Sequence, residues 1–195
     1  MANDRTRKAR RLALGGMLAA LASILMFLEI GVPLVPSFLR LDFSELPALI
    51  GAFTLGPLGG AAVCLIKNLV HLTVTYSAGV GELANFLLGV SFVVPAGLIY
   101  RKLRGRKGAL LGGLAGAAIM AGMSMLTNYY ITYPIYTRFM PMETIMDLYR
   151  ALWSGIENLW QALAVVNLPF TLVKGILCTV ICFFVYRPIQ RIIDR

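Results

Sequence analysis

Residues 46–75 read LPALIGAFTLGPLGGAAVCLIKNLVHLTVT, an almost uncharged run in which Lys67 and His71 are the only basic or acidic residues. A membrane-spanning helix needs about 20 apolar residues, so this run is too long for one helix. Its middle contains Leu55-Gly56-Pro57-Leu58-Gly59-Gly60. Proline and clustered glycine end or sharply break a helix. The stretch therefore predicts a short helix at about 45–55, a tight turn, and a second helix at about 58–75.

The rest of the chain has the composition of a polytopic membrane protein. Of its 195 residues, 58% are hydrophobic and only 14% are charged, and the mean hydropathy is +0.77. Soluble domains carry about 25% charged residues, and disordered chains are poor in apolar residues, so both classes are excluded. We predict an all-α membrane protein with six transmembrane helices in one integral membrane domain, residues 1–195. Besides the two helices above, the predicted spans are 12–35, 81–100, 108–136 and 159–186.

The net charge of +9 comes from basic residues that flank these apolar runs. Clusters lie at 5–11, 101–107 and 187–195, each directly beside a predicted span. Such a distribution follows the positive-inside rule and does not indicate a nucleic-acid surface. If the first two clusters are cytoplasmic, an even number of crossings must separate them, which requires the division at Gly56-Pro57. We therefore expect both termini to be cytoplasmic.

Catalytic and metal-binding patterns are not found in the sequence. The three cysteines, Cys64, Cys178 and Cys182, fall within predicted spans and show no metal-ligand or disulfide spacing. The sequence also contains no P-loop, zinc-binding helix motif or nucleophile elbow. We therefore expect no metal site, no cofactor and no enzymatic activity, ATP hydrolysis included. A membrane enzyme, a stand-alone secondary transporter and a structural membrane partner are the competing classes, and no repeat of broken helices favours the transporter.

Ionisable residues at membrane depth are costly, so each is a functional candidate. Lys174 lies about 18 Å from the inner end of the last predicted helix, and it can serve as a ligand donor or as the partner of a buried acid. The alternative is a lysine whose ammonium reaches a membrane interface. Lys67 and His71 share one helical face. Lys67 can pair with an acid or face the cytoplasm. As a lone histidine, His71 fits a hydrogen-bonded packing residue better than a proton relay.

Two more polar groups lie near the outer ends of predicted helices. Glu82 occupies the first turn of its helix, where helix capping alone could explain it, whereas Asn85 lies one turn deeper without such a role. Asn128 beside Tyr129 makes an aromatic and amide corner, although interfacial tyrosines commonly anchor a protein in the membrane. Together with Lys174, these groups converge on the outer half and predict a small-molecule pocket.

The segments around the first helix add two features. The proline-containing loop 33–44 alternates apolar and polar residues at Leu39-Arg40-Leu41-Asp42-Phe43, which predicts extended backbone covering a ligand; an ordinary surface loop is the alternative. The first helix carries small residues at four-residue spacing, in the series Gly15/Ala19/Ser23 and Gly16/Ala20. Such faces allow close helix packing, either inside the protein or against a partner.

Several of these stretches resemble the riboflavin-specific S components (RibU family) of energy-coupling factor (ECF) transporters. The resemblance is carried by 41–51, Gly56-Pro57, Ile66-Lys67-Asn68-Leu69, Gly81-Glu82-Leu83-Ala84-Asn85-Phe86, Asn128-Tyr129 and 169–175. It implies a six-helix protein of the prokaryotic plasma membrane that captures riboflavin at its outer side. It also implies docking on a transmembrane coupling subunit that carries two ATP-binding subunits.

The resemblance further assigns individual residues. Its predicted ligand-binding residues are Leu41, Asp42, Phe43, Glu82, Asn85, Asn128, Tyr129, Thr171 and Lys174. Thr171 stands where the family pattern has asparagine, so a shorter hydroxyl replaces an amide. Gly16 and Ala20 match the family's docking positions, where alanine is usual at both. The alternatives are an S component for another small vitamin or flavin analogue, or a stand-alone secondary transporter.

Overall fold

The structure is a computed structural model that describes residues 4–32, 35–36, 39–75, 77–138 and 140–193. Its nine α-helices within these ranges are α1 Asp4–Phe27, α2 Glu45–Thr54, α3 Pro57–His71, α4 Val80–Lys102, α5 Arg106–Thr127, α6 Tyr133–Tyr136, α7 Met142–Arg150, α8 Leu159–Ala162 and α9 Leu168–Ile193. A 3-10 turn, Leu72–Val74, extends α3, while π-helical turns at Asn128–Thr132 and Leu163–Asn167 join α5 to α6 and α8 to α9.

Five continuous helical stretches in the described ranges are long and apolar enough to cross a membrane. They are Asp4–Phe27, Pro57–Val74, Val80–Lys102, Arg106–Tyr136 and Leu159–Val185. The remaining predicted span, at about 45–55, corresponds to α2, a shorter apolar helix of 10 residues. The architecture is therefore a mostly helical bundle with five candidate membrane spans.

The turn between α2 and α3 lies where the sequence predicts a break. Gly56 has a φ of +97°, a conformation that favours glycine, and Pro57 is the first residue of α3. The two helices then pack closely, because a Cβ on Gly60 would lie 2.7 Å from the Ala52 Cβ and 2.8 Å from the Ala48 carbonyl oxygen. This close packing positions the first turn of α2 against the middle of α3.

The predicted helix at 12–35 is wrong at its C-terminal end. The helix ends at Phe27, and Ile30–Gly31 (β1) pairs antiparallel with Arg40–Leu41 (β2). Gly31 weakens a helix, and Pro33 disfavours helical backbone at Val32, so the chain leaves α1 before these residues. The fold is consequently mostly helical, with one short pair of strands. The extended backbone predicted around residue 40 is present at β2, while residues 33, 34, 37 and 38 of the predicted loop lie outside the described residues.

A second difference is α7, which the sequence analysis does not predict. Its residues Ile145, Met146 and Tyr149 share one helical face and are buried. They form an apolar cluster with Tyr133, Ile156, Ala162 and Leu163, distinct from the main core, which is rich in small residues of α1, α2, α4, α5 and α9. The helix therefore caps the bundle at the end where α5–α6 stops and α8–α9 begins.

Basic segments and carboxylates lie toward different ends of the bundle. Arg11 donates a hydrogen bond of 3.1 Å to the Leu55 carbonyl at the α2–α3 turn, and the Arg106 guanidinium lies 5.5 Å from the Phe183 ring centre, so the basic segments meet at one end. The other end lies around the antiparallel pair β1 and β2, which we call the hairpin. It holds the carboxylates of Glu29, Asp42, Glu45 and Glu82. We refer to these as the basic end and the acidic end.

Candidate functional site

A network of buried charges joins the hairpin to α2, α3 and α9 at the acidic end. The Lys67 ammonium donates to Glu45 Oε1 at 2.7 Å and to Ser44 Oγ at 2.5 Å. The Lys174 ammonium lies 2.9 Å from Glu45 Oε2 and 2.8 Å from Asp42 Oδ2. The Ser44 hydroxyl in turn donates to Asp42 Oδ1. Glu45 thus contacts both lysines and connects the network.

The network is electrically balanced, with two lysines and two carboxylates. Their side chains are almost removed from water, at 0% exposure for Lys67, 2% for Glu45, 6% for Asp42 and 10% for Lys174. Buried charges are tolerated when they are paired and hydrogen-bonded, as these are. Burial opposes ionisation of Asp42, but the ammonium groups of Lys174 and then Lys67 outweigh it and hold the pKa of Asp42 below its usual value. Asp42 is therefore ionised at neutral pH.

A cavity of about 150 Å³ opens beside this network. It lies between the hairpin, α4, the α5–α6 junction and α9. Lys174 and Glu45 form part of its wall. Its other polar and aromatic lining residues include Arg40, Asn85, Asn128, Thr132, Tyr133, Tyr136, Phe170 and Thr171. The structure thus brings together four residues that the sequence analysis places on three different helices: Asn85, Asn128, Thr171 and Lys174.

A larger cavity of about 360 Å³ adjoins the first, because Arg40, Gly81, Asn85 and Tyr136 line both. It is lined also by Met26, Glu29, Asp42, His71, Ser77 and Glu82. Among the described residues, Asn85 Oδ1 is buried without a hydrogen-bond partner. A buried amide oxygen without a partner is costly, so this atom is suited to receive a donor from a ligand.

Glu82 is held by several partners. Its Oε1 lies 2.9 Å from His71 Nδ1, and its Oε2 accepts from the hydroxyls of Thr75 at 2.9 Å and Ser77 at 3.2 Å. The His71 ring also lies against Phe27, with ring centres 5.4 Å apart. His71 is therefore both hydrogen-bonded and packed against an aromatic ring, and its role stays a prediction. The cluster ties the turn after α3 to the first turn of α4.

Three predicted ligand-binding residues line neither of these two cavities. Phe43 packs against the main apolar core, and Leu41 is half-buried in β2. The Tyr129 ring makes edge-on contacts with Tyr130 and Trp160, at centroid distances of 5.0 and 5.5 Å. Their assignment as ligand contacts remains a prediction from the resemblance.

The two series of small residues on α1 face different surroundings. Ala19 and Ser23 are buried, and a Cβ on Gly15 would lie 3.4 Å from Leu55, so that series packs inside the protein. Gly16 and Ala20 lie on the exposed face, and a Cβ on Gly16 would meet nothing within 4 Å. The structure therefore separates an internal packing face from an open one.

Comparison with known proteins agrees with this architecture. The sequence profile of the family described as "ECF transporter, substrate-specific component" matches residues 10–186. The chain belongs to this family. S components bind a transporter's substrate and are not enzymes, because ATP hydrolysis takes place on other subunits of the transporter.

Individual relatives cover nearly the whole S component. This chain is 34% identical over 193 residues to the riboflavin transporter FmnP of Bacillus subtilis, and the alignment covers 96% of each chain. It is 32% identical over 187 residues to the riboflavin transporter RibU of Staphylococcus aureus, covering 95% of this chain and 93% of the relative. A solved structure titled "Structure and mechanism of the S component of a bacterial ECF transporter" matches with a TM-score of 0.76 and 29% identity, covering 96% of this chain and 99% of that one.

Sequence reasoning missed most residues of the cavity wall in this S component, among them Glu45, Tyr133 and Tyr136. A signal existed for Glu45, because two lysines at membrane depth require two carboxylates to balance them. Tyr133 and Tyr136 follow the π-helical turn at Asn128–Thr132, which rotates them toward the cavity. Nothing in that sequence marks a π-turn, so their orientation could not be predicted.

Proposed function

We propose that this S component binds riboflavin at the outer side of a prokaryotic cell membrane and delivers it inward. Delivery takes place when the protein docks on a transmembrane coupling subunit with two ATP-binding subunits. The proposal is supported by relatives named riboflavin transporters, 32–34% identical over almost the full chain. The observation that carries it is the cavity at the acidic end, where amide, hydroxyl and ammonium groups converge between aromatic rings.

The lining of the cavity suits the chemistry of riboflavin. The flat isoalloxazine ring needs aromatic or aliphatic faces, which Tyr133, Tyr136 and Phe170 offer. Its heteroatoms and its polyhydroxyl tail need both donors and acceptors, which the side-chain amides of Asn85 and Asn128 supply. The balanced network around Lys174 and Glu45 leaves no surplus charge, as an uncharged ligand requires. In this proposal riboflavin is the transported ligand, and the protein has no resident cofactor.

The hairpin completes the proposed site as a cover. Arg40 lines both cavities, and Asp42 is fixed in the charge network, so the hairpin is tied to the cavity wall at β2. We assign Leu41 and Phe43 to the same cover, and Tyr129 to the outer wall, on the resemblance to the family.

The same proposal includes six membrane crossings with both termini cytoplasmic. The segregation of charge supports this arrangement, because the basic end corresponds to the cytoplasmic side under the positive-inside rule. The pair α2 and α3 then makes two crossings with its turn at the basic end, where Arg11 contacts Leu55. At 10 residues, α2 is about 15 Å long, so Ser44 and the hairpin complete its passage to the acidic end.

Docking on the coupling subunit is assigned to the open face of α1. Gly16 and Ala20 continue a stripe with Leu12 and Ile24, which are 80% and 57% exposed, at four-residue spacing. Small residues between larger apolar ones allow another helix to approach closely in lipid. The face therefore fits an apolar helix of a membrane partner.

The binding proposal is tested by riboflavin titration of purified variants. Asn85→Ala and Asn128→Ala each remove an amide from the cavity wall and are expected to weaken affinity about threefold to tenfold. Lys174→Ala is expected to weaken it further, with thermal unfolding measured in parallel because the network loses an ammonium. Tyr130→Phe, on an exposed ring of the same segment, is the control with wild-type affinity. Unchanged affinity in both asparagine variants would contradict the assigned site.

A further inference from the structure

The cap formed by α7 is anchored by one fully buried tyrosine. Tyr149 has 0% exposure, although it lies in a nine-residue helix outside the candidate membrane spans. Its ring packs with Tyr133 and the apolar residues Ile145 and Leu163 of the second cluster. Burial raises the pKa of Tyr149 to about 12, so its hydroxyl keeps its proton and serves as a donor at neutral pH.

The Tyr149 hydroxyl connects the two membrane helices beneath the cap. It donates a hydrogen bond of 2.6 Å to Asn167 Oδ1 and is also hydrogen-bonded to the Tyr133 hydroxyl. Tyr133 and Asn167 are each about 99% buried. Tyr133 directly follows the π-turn of Asn128–Thr132, and Asn167 is the last residue of the π-turn of Leu163–Asn167. One phenol therefore joins the ends of both π-turns.

Both π-turns lead into the wall of the smaller cavity. Asn128 and Thr132 are the first and last residues of one turn, and both line the cavity. Phe170 and Thr171 lie one helical turn after Asn167 and line it as well. A π-turn holds one residue more than an α-helical turn, which rotates the following side chains by about 100°. The aim of these side chains into the cavity thus depends on keeping both turns in place.

We infer that Tyr149 is a positioning residue for the ligand site. Its hydroxyl holds the two π-turns in the register that aims Asn128, Thr132 and Thr171 into the cavity, although the residue itself lines neither cavity described above. The link to ligand binding rests on the proposed riboflavin site, whereas the link to the π-turns stands on the hydrogen bonds of the cap.

The first test is amide hydrogen exchange of the full, ligand-free chain in lipid nanodiscs. Tyr149→Phe keeps the buried ring but removes the hydroxyl and its hydrogen bonds to Asn167 and Tyr133. Faster exchange is expected in 128–132 and 163–167, with no change in α3. Tyr130→Phe removes an exposed hydroxyl from the first π-turn and is expected to exchange like the wild type. Wild-type exchange of Tyr149→Phe at both π-turns would overturn the inference, whether or not the protein binds riboflavin.

The second test is riboflavin affinity in a double-mutant cycle. Tyr149→Phe is expected to weaken affinity about tenfold, which is about 1.4 kcal/mol. Because it acts through Asn128, combining it with Asn128→Ala is expected to cost less than the product of the two single effects. If the wild type binds riboflavin and Tyr149→Phe binds equally well, the positioning role fails while the proposed function stands. If the wild type does not bind, the proposed function fails, and the exchange measurement alone decides on the role of Tyr149.

Discussion

Glu45→Gln removes the one carboxylate that contacts both buried lysines. With contacts of 2.7 and 2.9 Å, each pair is worth about 6 kcal/mol of Coulomb attraction at an effective dielectric constant of about 20. Most of that attraction offsets the cost of taking the ions out of water. The variant keeps that cost for Lys67 and Lys174 but leaves Asp42 as their only carboxylate in the network, so one positive charge is unbalanced.

The expected loss follows from breaking a buried pair, which costs about 3–5 kcal/mol of folding free energy. In a chain of 195 residues, 1 kcal/mol lowers the unfolding midpoint by about 2–4 °C. The midpoint of Glu45→Gln is therefore expected to fall by about 6–20 °C. It is measured by thermal unfolding in detergent micelles, followed by the intrinsic fluorescence of Trp153 and Trp160.

A double variant separates loss of charge balance from general disruption. Glu45→Gln/Lys67→Met removes one charge of each sign and returns the network to balance. We expect it to be at least about 2 kcal/mol more stable than the sum of its single variants implies. Glu157→Gln changes an exposed acid and is expected to unfold like the wild type. A wild-type midpoint for Glu45→Gln, or strictly additive single effects, would refute the reasoning.

Three further outcomes are expected. The pKa of Asp42 in the folded protein lies below its usual 3.8, so its ionised form stabilises the fold above about pH 4. The unfolding midpoints of wild type and Asp42→Asn should therefore differ at neutral pH and converge toward about pH 2. A difference that stays constant with pH would contradict this. Riboflavin phosphate carries about two extra negative charges, and the cations at the cavities are already paired, Arg40 with Glu29 and Lys174 with Asp42 and Glu45. It should therefore bind more weakly than riboflavin in competition titrations, and equal affinity would contradict the charge argument. Gly16→Leu should abolish riboflavin uptake in cells that carry the coupling module, while riboflavin binding stays intact. Gly122→Leu changes an equally open glycine of α5 and should affect neither uptake nor binding. Normal uptake by Gly16→Leu would contradict the docking assignment.

Local signals in the sequence are sufficient for the long helices and for the break between α2 and α3. The Gly56-Pro57 turn is encoded by residues that disfavour continuation of a helix whatever surrounds them. Long apolar runs likewise predict spans from length alone. The apolar residues that continue to Val35 predict too late an end for α1, because Gly31 and Pro33 disfavour helix within that run.

The contacts of the site depend on tertiary packing and were only partly predictable. The depth of Lys174 and Lys67 indicates that they need partners, but the pairing of Lys67 with Glu45, 22 residues away, follows from the close approach of α2 to α3. The π-turns change the direction of Tyr133 and Thr171 without any mark in the sequence. The spacing of Ile145, Met146 and Tyr149 is typical of the buried face of a helix and indicates α7. The polar residues between and around them make this apolar pattern hard to recognise in the sequence.

Riboflavin titration of the purified wild-type chain, with no partner subunit present, decides whether this S component binds the vitamin proposed for its cavity. Flavin fluorescence should be quenched until about one riboflavin is bound per chain, and the yellow ligand should comigrate with the protein on size-exclusion chromatography. If fluorescence stays unquenched and the flavin separates from a folded, monodisperse protein, the proposed riboflavin site is wrong.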